Sequence, residues 1–504
     1  MSTGLSAAKE PNLDEFAAAT GHPVATQCAL DVMAMGGNAV DAAVSAAFAL
    51  FVLMPDACGL GGDTFALVST QESTIAFNGS GRVPRNWHGD VPTEGAALAS
   101  VPGAVAALQD MHSRFGILAW AELLSPAISL ARNGISVSPT LKQALSGSRV
   151  DLLQRAPDWN LTRWVKTPTP IVTQPQLAET LATLATFGAR AFYEGDLAHA
   201  LIDVARSDGS LLEIADLREH ETPIQLPHVT TIGDWTIESQ PPVSQAALVA
   251  FALSAVDGVR KYRVPRDHLL TEAVEEGFQW RPSMTDIEAA SNLPWGWKSP
   301  GETARKRGGA NGTSHTTSVS TSDGNGMVVS LLTSVFHNFG SKFLIPELGF
   351  FLNNRMLALH ASNQASTVTR PVHTLSPLIV CHGEDRVGIA TPGADAQIQV
   401  LSQILNSVIF EGVNWSKALQ KPRWRLQGRA LMVEDGFDSK TVAHLQDLGH
   451  NVTLLLPLHH SMGAVTLAGY QKAGTHSTPS RSSRHCFALA DGRRANSAGS
   501  TAGK

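Results

Sequence analysis

Charge is scarce in this chain. Only 16% of its 504 residues are Asp, Glu, Lys or Arg, against about 25% in an average soluble protein. The 38 basic residues are outnumbered by 44 acidic ones, giving a net charge of -6 and an isoelectric point near 6.3. A general nucleic-acid binder needs a basic face, so that class is excluded. Cysteine is scarce too. Cys28, Cys58, Cys381 and Cys486 lie far apart and show no CxxC spacing, which argues against a disulfide framework and against a zinc site. Long apolar runs are missing: Ala42 to Met54 is interrupted by Ser45 and ended by Pro55. Such a run is too short to span a bilayer and predicts a buried helix. The first twenty residues hold Lys9 and acidic groups but no apolar signal core, so no secretory signal is read there. The expected compartment is the cytoplasm, with no membrane partner. Nor is there a GxxxxGK[ST] loop, an HExxH pair or a spaced Cys/His ligand set. No cofactor and no metal are therefore expected. Gly59-Leu60-Gly61-Gly62 lacks a following Lys-Ser/Thr and reads as a packing turn, not a phosphate cradle.

What the chain does have is apolar and small. Hydrophobic residues make up 43%, and there are 43 glycines. The length fits about three domains, or one large α/β unit. Ala25 to Met35 carries helical apolar spacing and is stopped by Gly36-Gly37, because glycine accepts the left-handed cap conformation. Asn38 is placed to cap the next, nearly all-apolar helix. Thr64 to Ser69 reads as a strand, Asn78 to Pro84 as a loop, and Val101-Pro102-Gly103 as the entry to a helix running towards His112. The stretch 120–295 reads as mostly helical, broken by proline joints. Residues 296–315 lose all periodicity and read as an exposed loop. The period then switches to two. Ser318 to Ser322 and Met327 to Thr333 are expected as strands about the turn Asp323-Gly324-Asn325-Gly326. Leu378 to Cys381 and Val387 to Thr391 are further strands, and Gln397 to Ser407 a helix. The tail from Gln471 is expected to be largely solvated, its end disordered.

Thr316-Thr317 stands where the exposed loop enters the first strand of the hairpin. A cut just before Thr316 would free an α-amino group of pKa near 8, which can take the proton from the hydroxyl of the same residue. A Thr-Thr pair by itself is an ordinary strand start. Its context is not ordinary. His22-Pro23-Val24-Ala25 with Gly36 to Ala43, Gly59 to Asp63, Val101-Pro102-Gly103, the block from Thr316 through Asp323, Ser330-Leu331, Phe339-Gly340-Ser341 and Gly349 to Asn353-Asn354, and Arg370-Pro371 to Ser376-Pro377 with Thr391-Pro392-Gly393 follow one another in order. In these five stretches, over about 22 to 470, the chain resembles the γ-glutamyltransferase (γ-glutamyltranspeptidase) family.

The resemblance implies an α/β (α+β) fold, the four-layer αββα sandwich of N-terminal-nucleophile hydrolases. It also implies a precursor that cuts itself into a large subunit, 1–315, and a small catalytic subunit, 316–504, which together form one intertwined unit. An ungapped alignment of the strand puts the nucleophile on Thr316 and the cut between His315 and Thr316. Ser314 takes that place only if two residues shift in the turn. The second hydroxyl near the nucleophile falls on Ser334, where a serine is also an ordinary strand residue. The amides of the oxyanion hole fall on Gly393 and Ala394. Other positions depart from the family. Its carboxylate-binding Arg is Ser80 here, with Arg82 the nearest cation. Its ammonium-binding Asp is Ala358, and its paired serines are His373 and Thr374. Arg82, His373 and Thr374 are candidate substrate-binding residues for a different anion, although His373 also reads as a structural histidine. The implied activity is cleavage of a γ-glutamyl or similar short acyl amide, of glutathione type, by hydrolysis or transfer through an acyl-enzyme. The alternatives are an acylase or amidohydrolase for a non-glutamyl amide, and a non-catalytic binding member.

Overall fold

The structure, a computed structural model, describes residues 16–257, 264–284, 303–304, 315–361, 369–472, 484–493 and 498–501. The expected loop 296–315 lies outside them apart from 303, 304 and His315.

Two antiparallel sheets stack face to face. Their strands, in chain order, are β1 Phe16–Thr20, β2 Asp63–Ser69, β3 Thr74–Gly79, β4 Ile224–Gln225, β5 His228–Ile232, β6 Trp235–Ser239, β7 His315–Asp323, β8 Val328–Phe336, β9 Leu378–His382, β10 Asp385–Ala390, β11 Thr466–Lys472, β12 Arg484–Ala490 and β13 Ala498–Thr501. The first sheet runs β13-β1-β7-β8-β2-β3-β4 and the second β12-β11-β10-β9-β6-β5. Strand alternation sorts side chains between two cores, since successive residues point to opposite faces. Phe16 and Ala18 join the outer core under the first helical layer, while Ala17 and Ala19 face the second sheet. Ala66 and Val68 go outward, and Leu67 goes inward. The inter-sheet core is built largely of small residues, among them Ala17, Ala19, Ala76, Ala468, Ala488, Cys381 and Cys486. The alanine-rich composition thus lets the sheets approach closely.

Helices α1 Pro23–Ala34 and α2 Ala39–Leu53 cover the first sheet. Gly36 takes φ 98° after α1. Asn38 caps α2 in a reciprocal box with Asp41. Every residue of α2 is buried, as an apolar run of this length requires. Helices α3 Ala247–Asp257, α4 Arg266–Phe278 and α5 Ala396–Glu411 form the other outer layer over the second sheet. No helix among the described residues is long and apolar enough to cross a membrane.

The described part of 120–295 is mostly helical, as expected, and also holds β5 and β6, a hairpin at the edge of the second sheet. Its signal was the Gly233-Asp234 turn between two runs rich in β-branched residues. The expectation of a solvated tail is corrected for its described residues. β12 pairs with β11, and β13 pairs with β1. Arg493 is buried and bonded to Glu434 and Asp491.

Candidate active site

The first sheet positions the candidate nucleophile through register. β7 and β8 are paired by His315 opposite Phe336 and Thr317 opposite Thr333, with a shift between. Ser334 and Val335 therefore together face Thr316, a β-bulge of the kind that re-aims side chains. Thr316 is fully buried. Its Oγ1 donates to Ser334 Oγ at 3.2 Å, and Ser334 Oγ donates to the His315 carbonyl at 2.8 Å. The Phe336 amide donates to Ser334 Oγ at 2.9 Å, fixing it. A continuous chain of hydroxyls thus links the Thr316 side chain to the carbonyl of the peptide bond just before it. Ser314 lies outside the described residues.

Glycine makes this approach possible. A Cβ on Gly62 would stand 2.5 Å from the Ser334 carbonyl, and one on Gly61 would stand 2.2 Å from the Phe351 carbonyl. The Gly59–Gly62 stretch is the close-packing turn the sequence indicates.

Asp63 follows that turn and lies directly opposite Ser334 in the sheet. Directly opposed residues share a face, so Thr316, Ser334 and Asp63 form a row across β7, β8 and β2. Asp63 is fully buried and accepts from Arg355 Nε at 3.1 Å, His373 Nε2 at 2.9 Å and the Gly81 amide at 3.2 Å. Burial alone would raise its pKa, but the bonds from His373 and Arg355 outweigh burial and hold it below the usual value. His373 is fully buried, and burial, helped by the Arg355 charge, lowers its pKa to about 4. Its Nδ1 accepts from the Leu375 amide at 3.3 Å. With both ring nitrogens engaged inside the protein, His373 has none left to meet a substrate anion; it holds Asp63 in place. Thr374 is half-buried, and its hydroxyl has no partner among the described residues. Arg82 is exposed. Ser80 is buried and donates to Asn78 Oδ1 at 2.6 Å, while its carbonyl accepts from Arg370 Nη1. Arg370 Nη2 donates to the Glu221 carbonyl at 3.1 Å. Where the resemblance replaces an arginine with Ser80, a different arginine thus comes to rest against that residue.

The candidate oxyanion amides reach the same end of the molecule through the second sheet. Ala390, the last residue of β10, pairs with Thr466. Thr466 Oγ1 donates to Ser318 Oγ at 2.8 Å, two residues beyond Thr316. Gly393 and Ala394 follow directly, with φ 132° and 52°. Among the described residues neither amide has an acceptor. They stand just before α5, whose N-terminal dipole favours negative charge. Metal-ligand donors group elsewhere: His268, Glu272 and His450, on and beside α4, have ligand atoms within 4.8 Å of one another.

Asp63 and Arg370 stand within family-like stretches, and Arg355 one residue beyond such a stretch, but sequence reasoning assigns none of them a role. For Arg355 a signal existed: a lone cation inside the otherwise uncharged run Phe350 to Leu359.

The profile of the gamma-glutamyltranspeptidase family matches residues 25–499. The chain belongs to the gamma-glutamyltranspeptidase family. It is 29% identical to the glutathione hydrolase-like YwrD proenzyme of Bacillus subtilis (strain 168), covering 86% of this chain and 90% of that protein. It is 30% identical to the oxamate amidohydrolase proenzyme of Klebsiella pneumoniae, covering 88% and 92%. The fold of a cephalosporin acylase from Bacillus halodurans superposes with a TM-score of 0.83 at 24% identity, over 99% of this chain and 98% of that one. The family member described here is accordingly an enzyme of amide hydrolysis or acyl transfer on an N-terminal-nucleophile αββα frame.

Proposed function

We propose that the chain cuts itself between His315 and Thr316 and then uses Thr316 to cleave a short acyl amide. The observation that carries this reading is the chain of bonds from Thr316 Oγ1 through Ser334 Oγ to the His315 carbonyl. In the precursor, Thr316 Oγ attacks the His315 carbonyl carbon and passes its proton to Ser334, while the Ser334 hydroxyl polarises the carbonyl oxygen. The peptide C–N bond breaks as that proton is relayed to the Thr316 nitrogen and the acyl group moves to Oγ; water then hydrolyses the ester, releasing residues 1–315 as a carboxylate and restoring the Thr316 hydroxyl. The freed α-amino group becomes the base for turnover. The attacked amide's oxygen is then held by the Gly393 and Ala394 amides. The amine leaves, and water or an acceptor amine takes the acyl group from Thr316.

The substrate proposed is a γ-glutamyl or similar short acyl amide of glutathione type. One observation favours an amidohydrolase for a non-glutamyl amide as second reading. Ala358 stands where the resemblance places the ammonium-binding Asp, and the relative at 30% identity is named for the hydrolysis of oxamate. Oxamate carries a carboxylate and no ammonium. The cytoplasm remains the proposed compartment, in keeping with four buried cysteines, none of them in a disulfide.

Maturation tests the reading. From a mass of 53.4 kDa, fragments of roughly 33 and 20 kDa are expected if the new N-terminal residue is the nucleophile. The smaller one should begin Thr-Thr-Ser-Val on N-terminal sequencing. Thr316→Ala should abolish both the cut and turnover. A single uncut band with full activity would refute the mechanism.

A further inference from the structure

We propose that Arg355 is the receptor for a carboxylate on the acyl part of the substrate. This rests on Thr316 being the nucleophile. Arg355 is 1% exposed, yet its Nη1 and Nη2 have no partner among the described residues. A buried guanidinium with unmet donors is costly, so the arrangement is expected to be completed by a ligand. Two sides of the guanidinium, and the backbone of the residue, are accounted for. Nε is tied to Asp63. One face lies over the Phe336 ring, with Cζ 4.3 Å from the centroid. The backbone amide is fixed by Asn353 Oδ1 at 3.0 Å. What remains is the Nη1–Nη2 edge, the fork that takes a carboxylate in two parallel hydrogen bonds.

Its place puts that fork at the reaction centre. Asp63 lies opposite Ser334 in the sheet, and Phe336 lies opposite His315. Arg355 therefore spans the strand ends that carry Ser334 and the scissile bond. Asp63 cancels one positive charge, but Arg370, also buried and donating from its guanidinium to the Ser80 and Glu221 carbonyls, supplies another. The sign of the site follows from Ala358 as well. Arg355–Ala361 forms a 3-10 turn, in which side chains three apart eclipse one another. An acid at 358 would lie on the Arg355 side of the turn and compete for its fork; Ala358 offers it no acceptor. The class of substrate is an acyl amide bearing a carboxylate and needing no ammonium group.

The test compares glutaryl p-nitroanilide with its neutral carboxamide analogue, and measures glutarate as a competitive inhibitor. The self-cleaved enzyme should favour the glutaryl compound. In Arg355→Gln, the ratio of kcat/KM for glutaryl over carboxamide should fall about ten- to hundredfold, through KM, the scale of one lost charge-assisted partner. Arg355→Lys should recover part of it. Should Arg355→Gln fail to fold, Ala358→Asp gives an independent reading: the new carboxylate should abolish glutarate inhibition. An unchanged ratio in a self-cleaving Arg355→Gln, or unchanged glutarate inhibition in Ala358→Asp, would overturn the assignment. Calorimetric titration of glutarate into Thr316→Ala separates this from the wider reading. Glutarate binding to Thr316→Ala with turnover retained in that variant would fault the role of Thr316 and keep the anion site; loss of turnover in Thr316→Ala with no glutarate binding would keep Thr316 and overturn the anion site.

Discussion

At the scale of single residues, Ser334 joins structure to chemistry. Its hydroxyl accepts from Thr316 and from the Phe336 amide and donates to the His315 carbonyl. Removing a donor aimed at a developing oxyanion costs about 10²–10³ in rate. Ser334→Ala should therefore slow self-cleavage by about that factor, read as band intensity against time, while Ser334→Thr should keep most of it. Equal rates for Ser334→Ala and wild type would remove Ser334 from the mechanism. Ala394 offers a second test. It stands at φ 52° and is buried, a left-handed conformation that costs a non-glycine residue about 1–2 kcal/mol. Glycine gives up part of that gain through the entropy of its unfolded chain. Ala394→Gly should thus raise stability by up to about 1 kcal/mol and retain turnover. A clear loss of stability would show that the alanine methyl is needed for packing.

At the scale of elements, the Asp63–His373 bond ties β2 to the segment before β9. His373 has a pKa lowered to about 4, chiefly by burial, against about 6.5 in an unfolded chain. The folded state therefore refuses a proton that the unfolded state takes. Its contribution to stability is whole above about pH 6.5 and is lost as pH falls from there to about 4, by at most about 3 kcal/mol. Asp63 acts in a lower window, because its pKa lies below the ordinary carboxylate value. Urea midpoints of the uncut Thr316→Ala chain, measured at pH 7 and pH 5, should fall more steeply with acid than those of the same chain carrying His373→Gln. Parallel pH slopes would show that His373 takes up its proton without cost.

At the scale of the whole molecule, the proposed cut does not separate two domains. β1, β2, β3 and β4 of the first sheet lie before residue 316, while β7, apart from His315, and β8 and β13 lie after it. β7 is hydrogen-bonded to β1 on one side and to β8 on the other, and β8 to β2. The second sheet mixes β5 and β6 with four strands of the later segment. Both fragments share continuous cores, so the burial that holds the precursor also holds the cut pair. The fragments should co-elute in gel filtration and melt in one transition, separating only in denaturant. Two elution peaks under native conditions would contradict this interleaving.

The sequence by itself determined the local elements whose signals lie within a few residues. The Gly36 stop, the Asn38 cap, the apolar helix to Leu53 and the hairpin about Asp323 to Gly326 are set by propensity and period. Its motifs also carried the family, and with it Thr316 and Ser334 as a pair. The tertiary structure alone decided what depends on register and burial. The bulge that turns Ser334 towards both Thr316 and the His315 carbonyl is a property of two strands, not of either one. His373 looked available in sequence and is fully engaged, because folding brings Asp63 to it from 310 positions away. Arg355 looked like one cation in an apolar run. Only burial without a full set of partners, beside the proposed nucleophile, gives it a meaning, since desolvation is a property of the folded environment and not of the residue.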